Sequence, residues 1–169
     1  FLNKNGSQVL NLKSPLIEKA IYQSCLIKKK IVETDEKEIG LRKILNFGHT
    51  FAHAFEATLR YSKKLNHGEA VILGIKTAAK FSLINKILDI KEFMLIENHL
   101  TDLNLPKNIS KFFSSKNLNK ILFFMKKDKK NNSQKINLVL LKKIGSPIFK
   151  QQFNVNKIHL FLKKELIKW

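Results

Sequence analysis

Residues 41–59 constrain the fold most strongly, because their polar and apolar side chains repeat with the period of an α-helix. Four polar residues lie at spacings of four, three and four: Arg42, Asn46, His49 and His53. On a helix these spacings place them within roughly 60° of one face. The opposite face holds apolar residues: Leu41, Ile44, Phe51, Phe55 and Leu59. The stretch therefore predicts one continuous helix that buries its apolar face and presents a cation, an amide and two imidazoles to a site.

The rest of the chain adds helical periodicity and one short β pattern. Apolar residues recur at helical spacing in five further runs: 16–32, 67–88, 90–103, 117–127 and 156–169. Branched apolar segments at 136–141 and 148–155, separated by turn residues, predict a small hairpin. Residues 1–13 carry no strong pattern, and Gly6-Ser7 predicts a turn. We expect a mainly α, multi-helix fold with a small late β-hairpin.

The formal net charge of +19 favours either nucleic-acid binding or an anionic substrate. The basic residues are spread along the chain rather than gathered in a patch with aromatic residues, so we expect no specific nucleic-acid partner. No apolar run approaches the length that spans a bilayer, and no signal peptide is evident, so we expect no membrane partner. The single Cys25 fits a reducing compartment, which predicts a cytoplasmic location. The chain begins with Phe1 rather than Met, which suggests a fragment or a processed piece.

Two groups of side chains could hold a metal. His49 and His53, at positions i and i+4, could share an ion, or one of them could pair with His67. A catalytic zinc site needs three protein ligands, so a third would have to be found. The acidic segment 33–38 could also bind a metal, but we favour a polar loop or a helix N-terminus there. Arg42 and Asn46 suit a carboxylate or phosphate group.

The sequence GLRKILNFGHTFAHAFE at 40–56 resembles the signature of the 3-dehydroquinate synthases of the shikimate pathway. Three further pieces match that family in order: SCLIK at 24–28 followed by DEKE at 35–38, HGEAV at 67–71, and DKK at 128–130 before the strand. The resemblance covers nearly all of this chain but only the C-terminal half of the family's length. At one packing position Ala52 stands where the family usually has Gly.

The resemblance implies that residues 1–169 form a helical metal- and substrate-binding domain, which closes a cleft against an N-terminal Rossmann-like NAD-binding domain outside this chain. Family members bind zinc or cobalt through a Glu and two His. By position, His49 and His67 are the two His ligands, and the Glu lies upstream of Phe1. His53 matches the His that contacts the substrate phosphate and assists proton transfer. The other implied substrate-binding residues are Lys28, which is also implied in catalysis, Glu38, Arg42, Asn46 and Lys129.

The implied reaction converts 3-deoxy-D-arabino-heptulosonate 7-phosphate to 3-dehydroquinate and phosphate, through transient oxidation by NAD, phosphate elimination, reduction and an intramolecular aldol. The family also implies a homodimer for the full-length enzyme. This chain lacks a strand-Gly-x-Gly-helix unit, so none of its residues is predicted to bind NAD. We expect the 169 residues alone to be inactive and to bind neither NAD nor metal at full strength. Two alternatives stay open: another sugar-phosphate cyclase of the same superfamily, or a basic helical domain that binds nucleic acid.

Overall fold

The computed structural model describes residues 1–127 and 134–167. This part contains seven α-helices: α1 (Leu2–Leu10), α2 (Leu16–Thr34), α3 (His49–Thr58), α4 (His67–Ile84), α5 (Ile90–Asp102), α6 (Leu118–Lys127) and α7 (Val155–Glu165). Shorter 3₁₀ helices span Leu41–Asn46, Ile109–Lys111 and Ser115–Asn117. Strands β1 (Lys135–Lys143) and β2 (Ser146–Asn154) pair as an antiparallel hairpin. The prediction of a mainly α fold with a small late hairpin is confirmed.

The main core lies between α3, α4, α6, α7 and the hairpin. Phe81 of α4 is fully buried, and its ring meets those of Phe153 and Phe161 edge to face at centroid distances of 4.9 and 5.0 Å. In β1 alternate residues are buried, at Ile136, Leu138 and Leu140, so one face of the hairpin packs on the helices. Asn137 and Val139, which alternate with these residues, are half-buried on the opposite face of the hairpin.

Helices α3 and α4 approach each other closely because glycine occupies the contact on both sides. A Cβ built on Gly48 would lie 2.5 Å from the backbone nitrogen of Ile75, and one on Gly74 would collide with the carbonyl oxygen of Gly48. Ala52 is fully buried at the same contact. Gly48, Ala52 and Gly74 therefore hold the start of α3 against the middle of α4.

The prediction of one continuous helix over 41–59 is wrong. The chain forms a 3₁₀ helix over Leu41–Asn46, Phe47 is extended, and Gly48 adopts a left-handed conformation at φ 81° before α3 begins. Only glycine enters this region readily, and the turn at Gly48 is what directs α3 onto α4. Arg42 and Asn46 therefore lie on a different segment from His49 and His53.

The N-terminal region also differs from expectation. The turn predicted at Gly6-Ser7 is wrong, because both residues lie within α1, where Gly6 is buried with its Cα side facing Leu103. Helix α2 contacts α1 and the 3₁₀ helix Leu41–Asn46 but buries none of its residues. Among the described residues, no helix combines the length and the apolar character needed to cross a bilayer.

Candidate functional site

Three histidines meet where α3 and α4 begin. His49 is the first residue of α3, and His53 follows one turn later with its ring centroid 5.5 Å away. His67 is the first residue of α4, and its ring centroid lies 6.4 Å from that of His49. A capping box formed by Asn66 and Glu69 fixes this end of α4. The close contact between α3 and α4 thus brings His67 to the two histidines that the sequence placed together.

The Nδ1 atoms of two of these rings face acceptors within the protein. Nδ1 of His67 lies 3.1 Å from Oε1 of Glu56, and Nδ1 of His49 lies 3.4 Å from the carbonyl oxygen of Phe47. When Nδ1 donates its proton in this way, Nε2 carries the lone pair of the neutral imidazole. Acceptors at Nδ1 are the usual partners of histidines that bind a metal through Nε2.

The electrostatic setting favours a neutral His49. Burial of the ring lowers the pKa of His49, and the imidazoles of His53 and His67 lower it further, although the carbonyl of Phe47 and the carboxylate of Glu56 oppose them. A metal ligand must be deprotonated, so this shift suits His49 to that role. The donor set of His49 and His67 fits zinc or cobalt. Within residues 1–127 and 134–167, however, no group of three or more His, Cys, Asp or Glu is arranged to hold an ion.

Two adjoining pockets lie beside the histidines and share three lining residues: Glu38, Asn46 and His49. The larger, of about 640 Å³, also includes Lys43, Thr50 and His53, and its far wall is made by five hairpin residues: Asn137, Leu138, Val139, Phe149 and Gln152. The smaller, of about 500 Å³, adds Ser24, Ile27, Lys28, Arg42 and Leu45. His67 is outside both linings, next to His49. The space of the two pockets suits a small polar molecule of the size of a phosphorylated sugar.

Hydrogen bonds orient the polar residues shared by the pockets. Asn46 donates from Nδ2 to Oε1 of Glu38 over 2.7 Å. Glu38 has a left-handed backbone conformation at φ 54°, which costs a non-glycine residue about 1–2 kcal/mol. Strain of this kind is concentrated at functional sites in proteins. The pair holds one carboxylate and one amide at the boundary between the two pockets.

Asp35 organises the segment that carries Arg42. Its carboxylate accepts hydrogen bonds from the backbone N–H groups of Ile39, Gly40 and Arg42 at 3.0, 2.8 and 2.9 Å. These bonds, led by that from Arg42, lower the pKa of Asp35 despite the opposing effect of desolvation. Glu33 and Thr34 of the acidic segment form the end of α2, and its remaining residues, 35–38, form a polar loop in which Asp35 binds backbone groups. The guanidinium of Arg42 donates to the carbonyl of Glu36 over 2.6 Å.

The structure brings most of the predicted site residues to this cleft. Lys28, Glu38, Arg42, Asn46, His49 and His53 line one pocket or both, and His67 adjoins His49. Lys129 lies outside the described residues. The sequence did not indicate Glu56, Lys43 or the hairpin wall as parts of the site, and it indicated Asp35 only as one of several acidic residues in 33–38. Two signals were available: Glu56 lies two helical turns after His49, and Asn137 and Val139 alternate with the buried residues of β1.

Comparison with known proteins gives a consistent family match. Residues 1–131 match the family model described as 3-dehydroquinate synthase C-terminal. The chain is 74% identical over 168 residues to the 3-dehydroquinate synthase of Pelagibacter ubique (strain HTCC1062), covering 99% of this chain and 46% of that protein. It is 44% identical over 132 residues to that of Endomicrobium trichonymphae, covering 78% of this chain and 35% of the relative. The chain thus spans about half the length of these relatives or less.

Two solved structures share the fold. ValA, a 2-epi-5-epi-valiolone synthase from Streptomyces hygroscopicus subsp. jinggangensis 5008 with NAD⁺ and Zn²⁺ bound, matches with a TM-score of 0.76 at 17% identity. The match covers 97% of this chain and 44% of that one. A 2-deoxy-scyllo-inosose synthase complexed with carbaglucose-6-phosphate, NAD⁺ and Co²⁺ matches with a TM-score of 0.59 at 21% identity, covering 76% and 36%. At these identities the likeness establishes the fold alone.

Proposed function

This chain belongs to the 3-dehydroquinate synthase family, and from that premise we propose that it forms the metal- and substrate-binding part of a 3-dehydroquinate synthase. The family match confirms the resemblance seen in the sequence. The proposed activity is a lyase reaction that converts 3-deoxy-D-arabino-heptulosonate 7-phosphate to 3-dehydroquinate and phosphate. One observation carries the proposal: six residues from α2, the acidic loop, the 3₁₀ helix Leu41–Asn46 and α3 line one cleft beside a third histidine.

We assign the divalent metal, zinc or cobalt, to His49 and His67. Both rings have Nδ1 directed at an internal acceptor, and burial favours the neutral form of His49. The third ligand, a Glu by the family pattern, would come from outside the described residues. When bound, the metal would act as a Lewis acid that polarises the hydroxyl group being oxidised.

The cations of the cleft are proposed to bind the two anionic groups of the substrate. Lys28 supplies an ammonium group from α2, and Arg42 supplies a planar guanidinium whose paired N–H groups suit carboxylate and phosphate. Lys129, outside the described residues, keeps its proposed role as a further phosphate or carboxylate contact. Asn46 and Glu38 would hydrogen-bond substrate hydroxyls, since their mutual bond already fixes both side chains at the pocket boundary. Together these contacts would hold the reacting conformer in place.

His53 is proposed to relay a proton at the phosphate end of the cleft. It is exposed on α3, lines the larger pocket and stands one turn from His49. An imidazole can donate and accept protons near neutral pH, which suits it to assist departure of a proton from the carbon next to the oxidised centre. Lys28, in the adjoining pocket, would stabilise the negative charge that develops as phosphate leaves.

The described residues do not fit NAD. Their sheet is a two-stranded antiparallel hairpin, and no strand among them leads through a glycine-rich turn into a helix. We therefore assign none of them to the dinucleotide and propose that NAD binds to a Rossmann-like domain outside this chain. Three apolar residues of α2, Ile21, Tyr22 and Ile27, are 57–62% exposed, which supports the proposal that another domain packs against α2. Homodimerisation and a cytoplasmic location stay predictions for the intact protein.

The test compares the only two arginines of the chain in the intact protein. Arg42→Ala should reduce kcat/KM for 3-deoxy-D-arabino-heptulosonate 7-phosphate by about 100-fold or more, because a charge-assisted bidentate contact is lost. Arg60→Ala, an exposed position after α3, should leave turnover unchanged. Phosphate release and 3-dehydroquinate formation are measured together. Turnover of a different cyclase substrate alone would identify another member of the superfamily.

The same pair of variants addresses nucleic-acid binding. A basic helical domain would bind polyanions with a steep salt dependence, and that binding would survive the loss of Arg42. The proposed enzyme instead predicts that only Arg42 matters to substrate turnover. Equal effects of the two substitutions on turnover would refute the proposed substrate site.

A further inference from the structure

Glu56 is a buried carboxylate that the proposed chemistry does not use. It lies on α3 three residues after His53, and 8% of the residue is exposed. Its Oε1 atom lies 3.1 Å from Nδ1 of His67, across the contact between α3 and α4. Burial of a carboxylate is unfavourable unless a donor compensates it, and the His67 ring supplies that donor.

We propose that Glu56 is a positioning residue for the metal site: it binds the Nδ1–H group of His67 and so fixes Nε2 as the atom that ligates the metal. The inference rests on the proposed function, which assigns His67 as a ligand. An ionised carboxylate can only accept hydrogen bonds, so Nδ1 must carry the proton when this bond is made. In the neutral ring the lone pair then lies on Nε2, on the opposite edge.

Glu56 is the more firmly held member of the pair, because its side chain is much more buried than that of His67. The Glu56 side chain is 11% exposed, whereas that of His67 is 65% exposed. His67 is the first residue of α4, and most of its ring faces solvent, so little packing restricts its rotation. The hydrogen bond to the Glu56 carboxylate, which is buried between α3 and α4, therefore orients the His67 ring where packing does not. A metal then meets an imidazole that is already in the binding tautomer, which reduces the ordering cost of binding.

A purely structural role makes a different prediction from a positioning role. If the pair only held α3 against α4, its loss would lower the free energy of unfolding. The His67 tautomer and the metal affinity of the folded protein would then not change. Glu56→Leu separates the two, because leucine removes the acceptor and suits a buried position, while the 65% exposed His67 side chain keeps access to water as a hydrogen-bond partner. Glu56→Gln keeps the shape of the side chain and an uncharged oxygen that can accept the Nδ1–H bond, so it should retain part of the effect of Glu56 on His67.

The first experiment uses metal-free protein and long-range ¹H–¹⁵N NMR correlations of the histidine rings. Wild-type His67 should show the tautomer protonated at Nδ1, and Glu56→Leu should shift it toward the tautomer protonated at Nε2. The measurement needs neither metal nor activity, so it judges Glu56 independently of the proposed function. A wild-type His67 protonated at Nε2, or a tautomer unaffected by Glu56→Leu, would overturn the inference.

The second experiment measures Zn²⁺ affinity of the intact protein by competition with a chelating dye. Glu56→Leu should weaken binding about 10–100-fold, with Glu56→Gln intermediate. The matched control is Glu97→Leu, because Glu97 is a partly buried carboxylate that pairs with Lys76 and Lys107 away from the histidines. That variant should unfold more easily and bind Zn²⁺ as wild type does.

Each outcome of the zinc measurement decides one assignment. If His67→Ala weakens Zn²⁺ binding but Glu56→Leu does not, the positioning role is wrong and the proposed function stands. If His67→Ala binds Zn²⁺ as tightly as wild type, the metal assignment of the proposed function is wrong, and the role of Glu56 fails with it.

Discussion

Replacing Gly48 with alanine tests whether the contact between α3 and α4 depends on glycine at that position. Gly48 has φ 81°, and an added Cβ would lie 2.5 Å from the nitrogen of Ile75 and 2.8 Å from the carbonyl carbon of Gly74. Both neighbours are backbone atoms of α4, which cannot rotate away as a side chain could. The substitution must therefore strain the turn, separate the helices, or do both.

The expected loss of stability has two parts. A left-handed conformation costs alanine about 1–2 kcal/mol, and forcing a methyl group into a filled contact costs about 1–3 kcal/mol. Their sum, about 2–5 kcal/mol, is a large fraction of the 5–15 kcal/mol by which domains of about this size are stable. The same displacement would move His49 on α3 relative to His67 on α4, so metal affinity should fall as well.

Gly145 provides the matched control, because it has the same φ of 81° and no atom within 4 Å of an added Cβ. Gly145→Ala should cost only the conformational part, about 1–2 kcal/mol. Urea unfolding followed by far-UV circular dichroism gives both free energies of unfolding. If Gly48→Ala costs no more than Gly145→Ala, the close approach of α3 and α4 contributes nothing, and the reasoning is refuted.

Three further predictions concern stability, pH and metal. Ser82→Ala should lower the free energy of unfolding by about 1–3 kcal/mol, because the Ser82 hydroxyl accepts the buried N–H of Leu141 at 3.1 Å; urea unfolding measures it. Asp35→Asn should remove an acid-labile contribution to stability, measured by unfolding from about pH 5 to about pH 2. The folded-state pKa of Asp35 is depressed below its ordinary 3.8, so this contribution is present above that value and is lost as the pH falls through the folded-state pKa. Calorimetric titration of the 169-residue chain with Zn²⁺ should show only weak binding, because two histidines fall short of the three ligands of a catalytic zinc site.

Each of these predictions has its own contradicting result. Ser24→Ala is the control for Ser82, since Ser24 makes the same bond to the carbonyl four residues earlier but is exposed; equal losses would show that the bond to Leu141 is unimportant. An unchanged acid transition in Asp35→Asn would show that the bonds from Ile39, Gly40 and Arg42 do not stabilise the loop. Tight Zn²⁺ binding by the chain alone would refute the need for a ligand from outside it.

The amino-acid sequence determined the local structure and the identity of most site residues. Helical spacing predicted α2, α4, α5, α6 and α7 to within a few residues, and branched apolar segments predicted the hairpin, because both periodicities follow from the backbone geometry of each element. The motif around His49 and the segment HGEAV sufficed to name the family, since the chemical residue types and their spacing are properties of the sequence itself.

Only the tertiary structure decided how these residues meet. The spacing of Arg42, Asn46, His49 and His53 fits one helix, yet the chain turns at Gly48 because that turn lets α3 dock against Gly74. The bond between Glu56 and His67, and the wall that Asn137 adds to the pocket, join residues on different elements. Such contacts depend on how closely two elements pack, and periodicity within one element carries no information about that distance.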